Sequence, residues 1–158
     1  MIFVVTGTQL PFPRLIGAMD ELAPRLGERI IAQVGPDPVP RAHIETRTKL
    51  PPVEFEALFL EARVVVAHAG VGSILSAKRL RRPLIIVPRR FELGEHRNDH
   101  QLATAKELEG IEGVRIAWET DVLFDMLSVR DAPAATPEPG PLAGPLIARL
   151  QDFIDHDR

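Results

Sequence analysis

The 158 residues contain no cysteine. That removes disulfides, thiolate nucleophiles and Cys-based zinc or iron–sulfur centres at once. A charge excess is lacking too: 19 Lys and Arg against 22 Asp and Glu leave a net charge of −3. With a pI near 6.0 there is no overall basic footprint for nucleic acid. No apolar run approaches the roughly 20 residues that a membrane helix requires. The opening Met1-Ile2-Phe3-Val4-Val5-Thr6 has no basic flank, long apolar stretch or small-residue cleavage site, so it does not read as a signal peptide. The expectation is a cytoplasmic chain that reaches a membrane only through a partner.

Several familiar motifs and any internal repeat are missing as well. The glycine-rich stretch near residue 70 is not Gly-x-Gly-x-x-Gly, because Leu75 stands where the third glycine belongs. No Lys-Ser/Thr pair makes a P-loop, and no Gly-x-Ser-x-Gly makes a nucleophile elbow. What remains is ordinary globular composition, 45% apolar and 26% charged, in a length that suits one domain.

Six short runs, most rich in β-branched residues, predict strands: Ile2–Thr6, Ile30–Val34, His43–Arg47, Val64–Ala67, Leu84–Val87 and Val114–Ala117. Several are almost continuously apolar, as strands covered on both faces are. Leu15, Met19, Leu22 and Leu26 repeat at helical spacing, as do Phe55, Leu58, Phe59 and Ala62. Alternating strands and helices predict an α/β fold, a Rossmann-like parallel sheet with helices on both faces and right-handed crossovers. The link from Gly35 to Ala42 is short and proline-rich, which argues against a helix there. Prolines 133, 137, 139, 141 and 145 mark a stiff linker over 131–145 after a domain of residues 1–130. A last helix over 146–158 then carries an apolar stripe of Leu146, Ile147, Leu150, Phe153 and Ile154. That stripe either docks a partner or packs back on its own domain.

Two stretches carry chemistry. In the first, a strand ends at Ala67, a turn holds Gly70 and Gly72, and a helix begins near Ser73. A helix N-terminus at the carboxyl end of a parallel strand is a natural phosphate seat. Glycines allow close backbone approach, Ser73 suits a cap or a phosphate contact, and His68 at the strand tip suits donation to the same anion. The bland alternative is a glycine-rich turn with a capping serine and a satisfied histidine. The second stretch follows the next strand and gathers Arg89, Arg90, Glu95, His96, Asn98, Asp99, His100 and Gln101. Such a set of donors and acceptors suits a ligand rich in hydroxyls. Its alternatives are a solvated helix start capped by Asn98 or Asp99, and a metal site built on His96, His100 and Asp99.

Three segments in this order resemble the C-terminal, donor-binding domain of glycosyltransferase family 28, half of a GT-B fold. They are His68-Ala-Gly-x-Gly-Ser-Ile-Leu, Pro83-Leu-Ile-Ile-Val-Pro-Arg89 and Glu95-His-x-x-Asp-His-Gln101. The opening Thr6-Gly-Thr-Gln-x-Pro-Phe12 is similar to the first strand and loop of that family. The likeness runs from residue 1 to about 127. It is strongest to stand-alone versions of the domain, the catalytic subunit of the dolichol-linked chitobiose synthase and bacterial exopolysaccharide counterparts.

The resemblance implies a donor-binding, catalytic subunit of an inverting transferase, using a UDP-sugar and neither metal nor other cofactor. Gly70, Val71, Gly72 and Ser73 would hold the diphosphate with His68 beside it. Gly7 and Thr8 would border the donor, and Gln101, with Asp99 or His100, would contact the sugar. Arg89 and Glu95 belong to the same set, and a guanidinium at Arg89 or Arg90 suits an acidic sugar. Many GT-B enzymes have a ribose-binding Glu on the helix after the glycine turn, where this chain has Ser76. A membrane-associated partner would supply the acceptor site, the general base and a polyprenyl-diphosphate-linked acceptor, recruiting the chain to the inner face of the membrane. The alternative of another class is a non-enzymatic nucleotide-sugar-binding regulatory subunit.

Overall fold

In the computed structural model, residues 1–137 are described. Six parallel strands form one sheet in the order β3-β2-β1-β4-β5-β6. They are β1 (Ile2–Val5), β2 (Ile30–Gln33), β3 (Glu45–Arg47), β4 (Val64–Ala67), β5 (Leu84–Ile86) and β6 (Val114–Ile116). Each predicted strand is present, Val64–Ala67 with the same bounds and the other five trimmed by one or two residues. β3 begins at Glu45 because the Ala42 and His43 amides donate to the Asp20 carboxylate and leave the ladder. No helix interrupts the link from β2 to β3, as the prolines require.

Helices cover both faces. Pro13 opens α1 (Pro13–Leu26) at its first position, where a missing N–H costs nothing. Gly27 ends it in the left-handed conformation at φ 63°. Leu15, Ile16, Met19, Ala23 and Leu26 of α1 pack with α5 (Leu123–Ser128) on Ile2, Val4, Val64, Val66 and Ile85. The opposite strand residues, Phe3, Val5, Val65, Ala67, Leu84 and Ile86, face α2 (Pro52–Glu61), α3 (Val71–Leu80) and α4 (His100–Leu108). Phe3, Phe55 and Phe59 form an edge-on cluster there with centroids 5.4 to 6.0 Å apart. Burial on both faces is why β1 and β4 read as unbroken apolar runs.

From β1 the chain moves outward to β2 and β3, then returns to the other side of β1 as β4. The carboxyl ends of β1 and β4 therefore flank the point where the strand order reverses. Loops leave that point in opposite directions, and a crevice opens between them.

The start of the expected linker is packed against the domain. Ala135 is 1% exposed and its N–H donates to the Arg82 carbonyl. Ala135 of the expected 131–145 linker thus touches the domain; residues 138–145 of that linker and the expected 146–158 helix lie outside the described residues. Gly113, at φ +78°, makes this docking possible, since a Cβ there would collide with the Ala134 and Ala135 backbone. Gly113→Ala should cost about 1–3 kcal/mol from backbone strain alone. Chemical denaturation reads the loss; a cost within experimental error would show that the segment yields.

Candidate functional site

The crevice at the switch point holds a cavity of about 500 Å³. Thr6, Gly7, Thr8, Gln9 and Leu10 border it from the β1 loop, His68 from the end of β4, and Arg89, His96, Arg97 and Gln101 from the chain after β5. Two of these residues are arginines, two are histidines, and none is an acid. A cavity so lined favours an anion.

Arg89 fixes its shape. The side chain is 2% exposed, and its guanidinium donates to the carbonyls of Thr6, Leu10, Pro11 and Glu95 at 2.6 to 3.2 Å. Its Cζ lies 4.6 Å from the centre of the Phe12 ring. Burial lowers its pKa to about 10, partly offset by the Glu95 charge, so it stays cationic at neutral pH. The Glu95 carboxylate is spent on Arg14, which grips it through Nε and Nη2, and on the Arg90 amide. Arg90 donates to the Trp118 carbonyl and to Glu119. These bonds hold inside the chain the three side chains that the sequence alone suggested as a fork for a donor carboxylate, Arg89 and Arg90, and as a ligand contact, Glu95.

Gln101 is a second pin. Its Oε1 accepts from the Ala69 amide at 3.2 Å and the Arg89 amide at 3.0 Å, tying the ends of β4 and β5 together. Because both partners are N–H donors, the amide orientation is set and only its NH₂ group can serve a ligand. Asp99 and His100 sit beside it at the start of α4 but do not line the cavity. Asp99 accepts from the Phe91 amide, and Asn98 accepts from the His100 amide.

His68 stands between the two halves of the crevice. Its Nδ1 lies 3.3 Å from the Val5 carbonyl. A carbonyl only accepts, so Nδ1 carries the proton and Nε2 keeps its lone pair. Burial first, and then the Arg89 charge, lowers the pKa of His68 to about 4. A neutral ring with a bare Nε2 is an acceptor, where the sequence alone suggested a donor to phosphate. The ring fits only because Gly70 lacks a side chain: a Cβ at Gly70 would overlap Nε2, and one at Gly7 would sit 3.2 Å from it.

The predicted diphosphate turn is adjacent to the cavity and not in its wall. α3 begins at Val71, two residues before the expected start, with Gly70 as cap residue and no side-chain cap. Ser73 is therefore no cap; it lies buried in the first turn, while Gly72 is exposed. The uncapped N–H groups of that turn retain their affinity for an anion.

The sequence reading missed Gln9, Leu10 and above all Arg97. Arg97 is exposed at the cavity, in the bend before α4, and no local pattern in the sequence set it apart from the other arginines. The metal alternative finds no support in donor geometry: among the described residues, no three His, Asp or Glu side chains gather to hold an ion.

The fold and crevice define one Rossmann-like half of a GT-B glycosyltransferase. Residues 1–120 match the glycosyltransferase family 28 C-terminal domain, and the chain belongs to that family. A sequence comparison with curated proteins gives no match. Among solved structures the chain is similar to ALG13, solved by NMR, with 20% identity and a TM-score of 0.62 over 94% of this chain and 93% of that one. It is similar to SsfS6 from Streptomyces sp. SF2575, a glycosyltransferase complexed with thymidine diphosphate, at 21% identity and TM-score 0.57. That match spans 96% of this chain and 37% of SsfS6. It is also similar to the Methanocaldococcus jannaschii UDP-GlcNAc 2-epimerase, complexed with UDP-GlcNAc and UDP, at 12% identity and TM-score 0.60. Here 96% of this chain covers 45% of the epimerase. The chain likewise spans only 38% of a kitacinnamycin glycotransferase.

Two variants should separate frame from ligand contact. Arg89→Met leaves four carbonyls without their donor, at about 1–3 kcal/mol for each that stays buried and unpaired, and should largely unfold the chain. Arg97→Met should leave the melting temperature unchanged; equal losses in both would contradict the division. His68 adds a pH dependence. Its folded pKa lies below the ordinary 6.5, so the unfolded chain binds more protons between about 6.5 and 4. Stability should therefore fall as pH drops through that window, and fall less in His68→Asn. Parallel unfolding curves for the two proteins at pH 7 and pH 4.5 check the sign.

Proposed function

We propose that this chain is the donor-binding, catalytic subunit of an inverting glycosyltransferase. It takes a sugar from a UDP-sugar and passes it to a polyprenyl-diphosphate-linked acceptor in polysaccharide or glycan synthesis. The observation that carries the reading is the acid-free cavity at the switch point, lined by Arg97 and with the uncapped first turn of α3 adjacent to it. Family membership supplies the class of reaction. Thymidine diphosphate in SsfS6 and UDP in the epimerase are the kind of ligand that such a lining suits.

The nucleoside diphosphate would lie across the Gly7–Thr8 loop and the Ala69–Ser73 turn, with its charge met by backbone amides and Arg97. Charge-assisted bonds of this kind contribute roughly 1.5–3 kcal/mol each, so no metal is needed to hold it. The Gln101 NH₂ group would face the sugar. His68 is the chain's candidate catalytic residue at the reacting phosphate. The acceptor and its general base would come from a membrane-associated partner. Support comes from the near full-length match to ALG13, against matches to well under half of the larger glycosyltransferases. Among the described residues no helix is long and apolar enough to cross a membrane, which fits recruitment to the inner face by that partner.

Calorimetric titration with UDP tests the reading. Binding should persist in EDTA and weaken by about 1.5–3 kcal/mol in Arg97→Ala. Loss of binding in EDTA, or an unchanged affinity in Arg97→Ala, would remove the phosphate assignment. Transfer from UDP-sugars should require the co-expressed partner; activity of the chain alone would show that the acceptor site is its own.

A further inference from the structure

We infer, resting on the donor-site reading above, that His68 takes up a proton at Nε2 when a nucleotide-sugar diphosphate enters the cavity, so that binding and protonation of this ring are one event.

The argument begins with the ring's two nitrogens. Nδ1 is held on the Val5 carbonyl, and that carbonyl can only accept. The missing side chains of Gly7 and Gly70 leave room for the ring on its Nε2 side, where a Cβ at Gly70 would overlap it. His68 borders the cavity, and with Nδ1 on Val5 the nitrogen left for a ligand is Nε2, a lone pair. A phosphate oxygen brought to it would meet another acceptor, and two acceptors repel. A proton from solvent resolves the conflict. It joins the Nε2 lone pair, the ring becomes an imidazolium, Nδ1–H stays on Val5, and Nε2–H donates to the anion.

The surroundings set the free ring neutral and leave it ready to change. Arg89 from the end of β5 and His96 from the following loop face it, both disfavouring the charged form, and burial adds to them. The residues of the β1 loop that border the cavity, Thr6 to Leu10, carry no charge, nor does the first turn of α3, Val71 to Ser73. Glu95, the acid whose charge bears on Arg89, is held by Arg14. No carboxylate in this shell competes with the incoming phosphate for the imidazolium. The added positive charge would then face the diphosphate as it gains a negative charge on losing the sugar.

Linkage fixes the sign. A group whose pKa rises on binding strengthens binding as pH falls, and the gain fades as pH climbs through the bound-state value. With the bound ring restored to about the ordinary histidine range or just above it, affinity should weaken about tenfold from pH 6 to pH 8. UDP-glucose and UDP-N-acetylglucosamine are suitable probes. Their pyrophosphate is a diester with no proton to exchange near neutrality, whereas a terminal phosphate titrates at about 6.

Calorimetry with both probes, in paired buffers of different ionisation enthalpy, counts the protons. Uptake approaching one proton per ligand at pH 6, lost in His68→Asn and His68→Gln but kept in His96→Asn, is the expected result. Nitrogen-15 NMR of the His68 ring needs no variant. It should show a bare Nε2 in the free protein at pH 7 and two protonated nitrogens in the complex at pH 6. Binding without proton uptake, uptake that survives both His68 variants, or a ring still bare in the complex overturns this inference and leaves the donor-site reading intact. Failure of both probes to bind overturns that reading, and this inference with it.

Discussion

A buried cation organises everything around the crevice. Leaving the Arg89 guanidinium in the core without partners would cost several kcal/mol, and the chain avoids this by wrapping carbonyls around it. Three belong to the β1 loop and one to Glu95. The loop between β1 and α1 has neither regular structure nor large apolar residues between Gly7 and Gln9. Its path is set by those bonds, by Phe12 seated under the guanidinium, and by the left-handed turn at Gly7. The Gln101 carbonyl oxygen completes the arrangement by tying Ala69 to Arg89. Two side chains thus hold three separate segments at the end of the sheet, and the cavity is the space between them.

Electrostatics follows from the same bonds. Because Arg89 is neutralised mainly by carbonyl dipoles, its charge still reaches the cavity and adds to burial, the larger cause, in lowering the pKa of His68 and His96. Glu95, whose charge bears on Arg89, is drawn away by Arg14. Positive potential is retained without a directly exposed cation in the wall other than Arg97. A site of this kind favours an anion while burial and the neighbouring cation disfavour charged histidines.

The strands were legible because burial on both faces leaves an apolar run with nothing else to explain it, as in Val64–Ala67. The reversal of strand order at β1 and β4 placed the two motifs at one end of the sheet, and family resemblance pointed the same way. Side-chain commitments were not legible. Arg89, Arg90 and Glu95 looked like free ligand groups because pairings such as Arg14 with Glu95 span 81 residues, which no local pattern records. The start of α3 was misplaced by two residues because a serine was taken for the cap where a glycine serves. The tautomer of His68 depends on Val5, 63 residues earlier, and emerges only when β1 and β4 lie side by side.

The central claim is that the switch-point crevice seats a nucleoside diphosphate. Mapping amide shifts of the nitrogen-15 labelled chain on addition of UDP tests it most directly. The account predicts that the largest changes fall on Gly7, Thr8, His68 through Ser73 and Gln101, with the opposite edge around Gly27, Glu28 and His43 silent. Shifts concentrated at that opposite edge, or none at all at saturating UDP, would contradict it.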